Sequence, residues 1–198
     1  MLETQAYFDQ IYASDHDPWG YEQRWYEERK RQICLSVLLQ PHYASALEIG
    51  CSNGVFSQVL GLRCSQLLCL DGHAKAIELA SKRLAAYPHI QVQQAWIPEQ
   101  LPTQRFDLIV ISEILYYLDL QQLHRLLHWL DQHLAASGTL LCCHWRHPIL
   151  GFELDGNQVH QHLHQLKLQH YLSLTDPDFL IDVWSKSPLS LAQQEGLI

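Results

Sequence analysis

Short apolar runs alternate with longer amphipathic ones along most of the chain. Ala44–Cys51, Leu67–Asp71, Ile90–Trp96, Phe106–Ser112 and Thr139–His144 are apolar stretches of strand length. Between and after them, Asn53–Leu60, Ala74–Tyr87, Leu120–Leu134 and Asn157–Leu166 carry apolar residues at helical spacing. Strands alternating with helices predict parallel β-α-β units with right-handed crossovers, an α/β doubly wound sheet. The carboxyl end breaks the alternation. Leu168–Leu174 and Phe179–Ser185 are joined by Thr175-Asp176-Pro177-Asp178, a turn that predicts a hairpin and hence antiparallel strands at one sheet edge. Ahead of the sheet, Thr4–Ala13 reads as a short helix and Asp15–Gly20 as a break. Tyr21–Leu39 reads as a second helix, with Trp25, Ile33 and Val37 at helical intervals, stopped by Pro41. No repeat or linker divides the chain, so residues 1–198 are expected to form one domain, with 1–42 a helical lid and 43–187 a Rossmann-like core.

Composition narrows the function classes. With 47% hydrophobic residues and 6 Trp, 9 Tyr and 5 Phe, the chain can build a sizeable core, which excludes disorder as its main state. A formal charge of −8 speaks against a nucleic-acid groove, which needs a basic face. No apolar run approaches the ~20 residues of a membrane span, and no basic-then-apolar leader opens the chain, so a soluble cytoplasmic protein, monomer or homodimer, is expected. The 6 cysteines show no C-x-x-C spacing and read as buried free thiols. His160, His162 and His164 alternate within a predicted helix, where i and i+2 face different ways; this suits a solvated polar helix better than a zinc site, and no metal is expected.

The stretch most informative about chemistry is Ala46-Leu47-Glu48-Ile49-Gly50-Cys51-Ser52-Asn53-Gly54, which leaves a strand and opens a helix. Gly50 and Gly54 let the backbone turn tightly beside a ligand. Ser52 stands where a dinucleotide loop has its middle glycine, which disfavours a pyrophosphate. Glu48 adds a carboxylate that repels phosphate and suits an ammonium. Asp71 ends the next strand, 21 residues beyond Gly50, where a carboxylate accepts both hydroxyls of a ribose or, more simply, caps a turn.

The succession E-x-G-x-S-x-G, L-C-L-D-G and F-D-L-I-V-I-S-E resembles the class I S-adenosylmethionine-dependent methyltransferases. The flanks Asp17-Pro18-Trp19-Gly20, Trp25-Tyr26-Glu27-Glu28-Arg29-Lys30, Ser112-Glu113 with Tyr116-Tyr117, and Cys143-His144-Trp145-Arg146-His147-Pro148 resemble the nodulation protein S (NodS) family. That resemblance implies methylation of the amino nitrogen of a de-N-acetylated chitooligosaccharide, with S-adenosyl-L-homocysteine as product. It also implies a seven-stranded sheet with the cofactor over the carboxyl ends of the first strands. Carried over by position, Glu48, Gly50, Cys51, Ser52 and Gly54 line the methionine, Asp71 the ribose, and Gly72 and His73 the adenosine. Trp96, followed by Ile97, replaces the acidic residue usual beside the adenine; an indole stacks but cannot accept the amino hydrogen bond.

On the acceptor side, Glu113 ends the fourth strand, and Tyr116 and Tyr117, with Ser112, are expected to wall the site and face a cationic methyl donor. His144 ends the fifth strand and is expected to act as the base, with its pKa raised by a carboxylate, while Glu113 anchors the amine and Tyr117 assists. Trp145 and Arg146 are expected against the acceptor. Trp19 and Trp25 are expected to cover the site, and Arg29 to fork onto the methionine carboxylate. An active small-molecule N-methyltransferase and a non-catalytic S-adenosylmethionine-binding partner or sensor remain the two readings; Glu48 and Ser52 disfavour a nicotinamide enzyme.

Overall fold

A computed structural model describes residues 2–198. The described residues hold seven strands: β1 (Tyr43–Ile49), β2 (Cys64–Asp71), β3 (Ile90–Gln94), β4 (Phe106–Ser112), β5 (Leu134–Trp145), β6 (Gln169–Thr175) and β7 (Phe179–Ser185). They form one sheet in the order β3-β2-β1-β4-β5-β7-β6. The strands run parallel from β3 to β5, and β7 is antiparallel to both β5 and β6, as the Asp-Pro hairpin predicts. The helices are α1 (Leu2–Ser14), α2 (Trp25–Ser36), α3 (Val55–Leu60), α4 (Ala74–Leu84), α5 (Leu120–His133), α6 (Gly156–Leu163) and α7 (Leu191–Gln194). The chain winds outward from β1 to β3, then restarts at β4 on the other side of β1. That reversal opens a crevice above the carboxyl ends of β1 and β4, where open α/β sheets bind ligands.

Both faces of the sheet are covered, so its central strands are apolar throughout; Leu108, Ile109, Val110 and Ile111 of β4 are all buried. Alternation sends Leu47, Ile49, Ile109, Ile111 and Cys142 into a core with α5 and α6. The intervening Ala46, Leu108, Val110 and Cys143 pack with α2, α3 and α4. On α5 the buried face is Leu123, Leu126, Leu127 and Leu130, an i, i+3, i+4, i+7 stripe. Asp119 with Gln122, and Asp155 with Gln158, start α5 and α6 with reciprocal capping boxes.

Three local expectations are corrected. α2 begins at Trp25 rather than Tyr21, because the Asp17 carboxylate takes the N–H groups of Tyr21 and Glu22 (2.9 and 3.0 Å) and holds them in a turn. Trp25 itself is 64% exposed and covers nothing. On α6, which was expected to be solvated, His160 is buried between β5 and β7, where His144 and Asp182 satisfy both its ring nitrogens. All 6 cysteines are buried free thiols, as their spacing suggested. No helix among the described residues is long and apolar enough to cross a membrane.

Candidate active site

A cavity of about 500 Å³ opens at the carboxyl ends of β1, β2 and β4, within the range of small-molecule sites. The β1 loop reaches it through Gly50 (φ +86°) and Ser52 (φ +47°). A Cβ on Gly50 would stand 3.0 Å from the Ser112 carbonyl and 3.1 Å from Ile114, in a backbone region that L-residues avoid. Asp71 closes β2 beside it. One Asp71 carboxylate oxygen accepts the Ser52 N–H and the other the His73 N–H, both at 2.9 Å. Each oxygen thereby keeps an acceptor position for a ligand. Burial pushes the Asp71 pKa up, against the pull of those two N–H donors. Beyond them, Gly72 lies flat under Trp96, since a Cβ there would be 2.9 Å from the indole.

The opposite wall comes from α1, α2 and the strand end of β4. Tyr7, Phe8 and Tyr12 of α1, with Trp19 and Tyr21, roof the cavity. The Tyr12 hydroxyl bonds Ser52 Oγ at 2.8 Å, its ring stacks on His73 at 4.7 Å, and Asp9 pairs His73 Nε2 at 3.0 Å. From α2, Glu27 and Lys30 enter the site, 7% and 5% exposed. The Lys30 ammonium sits 3.1 Å from Glu27 and 2.6 Å from Glu113. Burial opposes its charge, but the carboxylates prevail and its pKa lies above the usual lysine value. Glu113 also accepts from the Tyr116 hydroxyl and the Trp145 N–H, each at 2.7 Å, and adopts a left-handed φ of +59°. Burial raises the Glu27 pKa despite Lys30. Two carboxylates thus share one lysine, leaving a net negative charge on the wall of a cavity rich in aromatic rings.

The cavity gathers Trp19, Gly50, Ser52, Asp71, Gly72, His73, Trp96, Ile97, Ser112, Glu113, Tyr116, Tyr117 and Trp145 of the residues singled out in the sequence. The others lie elsewhere. Cys51 and Glu48 border a smaller adjoining space; alternation along β1 turns Glu48 to the α3 side, where the Cys69 thiol donates to it at 3.6 Å. Gly54 (φ +78°) starts α3, backed against Ala80 and Leu84. Arg29 pairs with Asp176 at 2.8 Å, and Arg146 holds Asn157 and the Asp176 carbonyl; both brace the β6–β7 turn. Arg24 lines the cavity instead.

The role expected of His144 is overturned. It is fully buried behind Tyr116, outside the cavity lining. Its Nε2 accepts the Leu115 N–H at 3.4 Å, so its Nδ1–H donates to His160 Nε2 (3.0 Å), and His160 Nδ1–H donates to Asp182 (2.5 Å). Burial, His160 and Lys30 push its pKa well below the ordinary value rather than above it. A neutral imidazole whose lone pair is taken by the backbone does not abstract an acceptor proton. Sequence reasoning missed Glu27, Lys30, Arg24 and the α1 aromatics.

Glu48 gives a stability prediction. Burial raises its carboxyl from 4.5 to about 7. The folded state therefore holds the proton more tightly, and stability present below pH 4.5 is lost as pH rises towards 7. The shift corresponds to about 3 kcal/mol. Glu48→Gln is expected to match wild type near pH 4.5 and exceed it by up to that amount at pH 8; parallel stability–pH curves in chemical denaturation would exclude this.

The arrangement suits S-adenosylmethionine. Asp71 retains acceptor positions for a ribose, the buried His73 Nδ1 has no partner, and carboxylates with aromatic rings face the place where a sulfonium would lie. Fold and site together define an S-adenosylmethionine-dependent methyltransferase. Solved structures agree: the N-methyltransferase NodS from Bradyrhizobium japonicum WM9, in complex with S-adenosyl-L-homocysteine, superposes with a TM-score of 0.83 at 25% identity over 94% of this chain and 99% of that one. A Pseudomonas syringae structure named as a methyltransferase matches at 0.73 and 44% over 82% of this chain and 99% of its own. The family model of nodulation protein S (NodS) matches residues 5–154. Nodulation protein S of Bradyrhizobium diazoefficiens is 33% identical over 66% of this chain and 68% of its own length. That of Sinorhizobium fredii is 34% identical over 71% of this chain and 62% of its own, so the chain spans about two thirds of these relatives. The chain belongs to the nodulation protein S family.

Proposed function

We propose that the protein methylates the amino nitrogen of a small molecule of the aminosugar class. The observation that carries this reading is the Glu27–Lys30–Glu113 group, whose surplus negative charge draws an ammonium into the cavity. When bound, S-adenosylmethionine supplies the electrophilic methyl group; Gly50, Ser52, Asp71, Gly72, His73 and Trp96 would hold it, and Arg24, which lines the cavity, would take the carboxylate expected of Arg29. Glu27, with its pKa raised by burial, is the base that accepts the ammonium proton, freeing the nitrogen lone pair. Glu113 accepts from three donors, Lys30 among them, and so fixes the lysine in place. The aromatic roof excludes water, and alignment of nucleophile and methyl contributes roughly 7–11 kcal/mol in well-oriented reactions.

Trp145 and Tyr26 wall the acceptor side, their rings 5.9 Å apart, and the Tyr26 hydroxyl is buried with no partner, ready for a sugar hydroxyl. The test is methyl transfer to short glucosamine oligomers carrying one free amine, against the fully N-acetylated oligomers. Transfer to the first alone is expected. Equal transfer to both would refute an amine acceptor, and S-adenosylhomocysteine binding with no turnover on any amine would favour the binding-protein reading.

A further inference from the structure

At the β6–β7 edge, away from the methyl-transfer cavity, three side chains from three elements converge. Asp182 of β7 is buried, its side chain 4% exposed; His170 of β6 and His164, just past α6, are 37% and 43% exposed. The His170 Nε2 lies 2.9 Å from one carboxylate oxygen and the His164 Nε2 3.5 Å from the other. All three ligand atoms fall within 4.8 Å of one another. We propose that His164, His170 and Asp182 form a binding site for a divalent transition-metal ion of the zinc class.

Imidazole and carboxylate bind Zn²⁺ at about 2.0–2.2 Å, which in a tetrahedron places neighbouring ligand atoms about 3.3–3.6 Å apart. The His164–Asp182 spacing is already at that value, and small rotations of the two half-exposed rings close the remainder. The surroundings are those of a supported ligand set. The Asp182 oxygen that faces His164 also accepts His160 Nδ1–H at 2.5 Å, and the one that faces His170 accepts the Ser173 hydroxyl. Trp184 walls the site, its ring 5.5 Å from His164 and 5.6 Å from His170. Coordination through Nε2 leaves the His170 proton on Nδ1, so no net proton is lost. Solvent takes the open fourth position. Two imidazoles select Zn²⁺, Co²⁺ or Ni²⁺ over Mg²⁺ and Ca²⁺. Of His160, His162 and His164 only His164 takes part, and its partners come from β6 and β7.

The site bears on the fold through Asp182, which anchors His160 and, through it, His144 behind Tyr116. The test is titration of the full-length protein with Co²⁺ and Zn²⁺, read by visible absorption and calorimetry, beside His170→Gln and the double variant His164→Gln/His170→Gln. Both histidines are exposed enough for the variants to fold, which far-ultraviolet circular dichroism verifies. One equivalent is expected, with cobalt d–d bands, and affinity falling roughly tenfold or more in each variant. No saturable binding to wild type, or unchanged affinity in the double variant, overturns the proposal. Neither result depends on methyl transfer, so this site and the acceptor assignment fail separately.

Discussion

Glu27→Gln is expected to leave S-adenosylhomocysteine affinity within tenfold of wild type while lowering turnover with an amine acceptor by ~10²–10⁴, the contribution typical of a positioned base. The expectation rests on position before pKa. Glu27 lies in the cavity wall, buried, tied only to Lys30, whereas His144 is behind the wall with its lone pair already used. Burial places the Glu27 carboxyl above its ordinary 4.5, closer to neutral pH, where a base both stays available and accepts a proton. The acid limb of the wild-type pH–rate profile should report that raised value and disappear in the variant. His144→Gln is the control: its loss should move turnover far less. If the two variants exchange these phenotypes, the assignment is wrong.

Lys30→Met is expected to destabilise the fold by about 3–5 kcal/mol near pH 7.5, the cost typical of removing one member of a buried ion pair. Here the penalty falls on two carboxylates, since Glu27 and Glu113 lose the charge between them and face each other. Burial already pushes the Glu27 pKa up against the pull of Lys30, and it should rise further in the variant. Stability lost at neutral pH should therefore return as the medium is acidified and Glu27 takes up a proton. Denaturant unfolding at pH 5 and pH 7.5 measures this, and adding Glu27→Gln should recover part of the loss. A Lys30→Met protein as stable as wild type at pH 7.5 would mean the three groups do not interact as drawn.

The strand–helix alternation was enough to place β1 to β5, and the Asp-Pro turn placed the β6–β7 hairpin. The glycine loop and Asp71 were legible because their chemistry is local: a strand end, a turn and a helix start. What escaped notice depends on which way side chains point. Glu48 belongs to the family pattern, yet alternation along β1 turns it away from the cavity. Of the run Glu27-Glu28-Arg29-Lys30, only Arg29 was expected at the site. The run's signal was the spacing Glu27, Lys30, Cys34, an i, i+3, i+7 face that α2 buries; a charged residue on such a face marks a site. Histidines distant in sequence, such as His144 and His160, meet only once α6 has packed against β5 and β7, and no local pattern records that.

The roof over the cavity is built from α1, a helix of 13 residues, and that is near the length at which isolated helices are marginal in water. Its order therefore comes from what it docks against. Tyr12 to Ser52 and Asp9 to His73 fasten it to the loops after β1 and β2, the same loops that would carry the ligand. The amino-terminal segment and the ligand-bearing loops thus make up a single cooperative unit. Detaching α1 uncovers the cavity and at the same time strips Ser52, held at a strained φ of +47°, of the hydroxyl that steadies it. Loss of α1 would therefore remove a contact from each of the two loops at once.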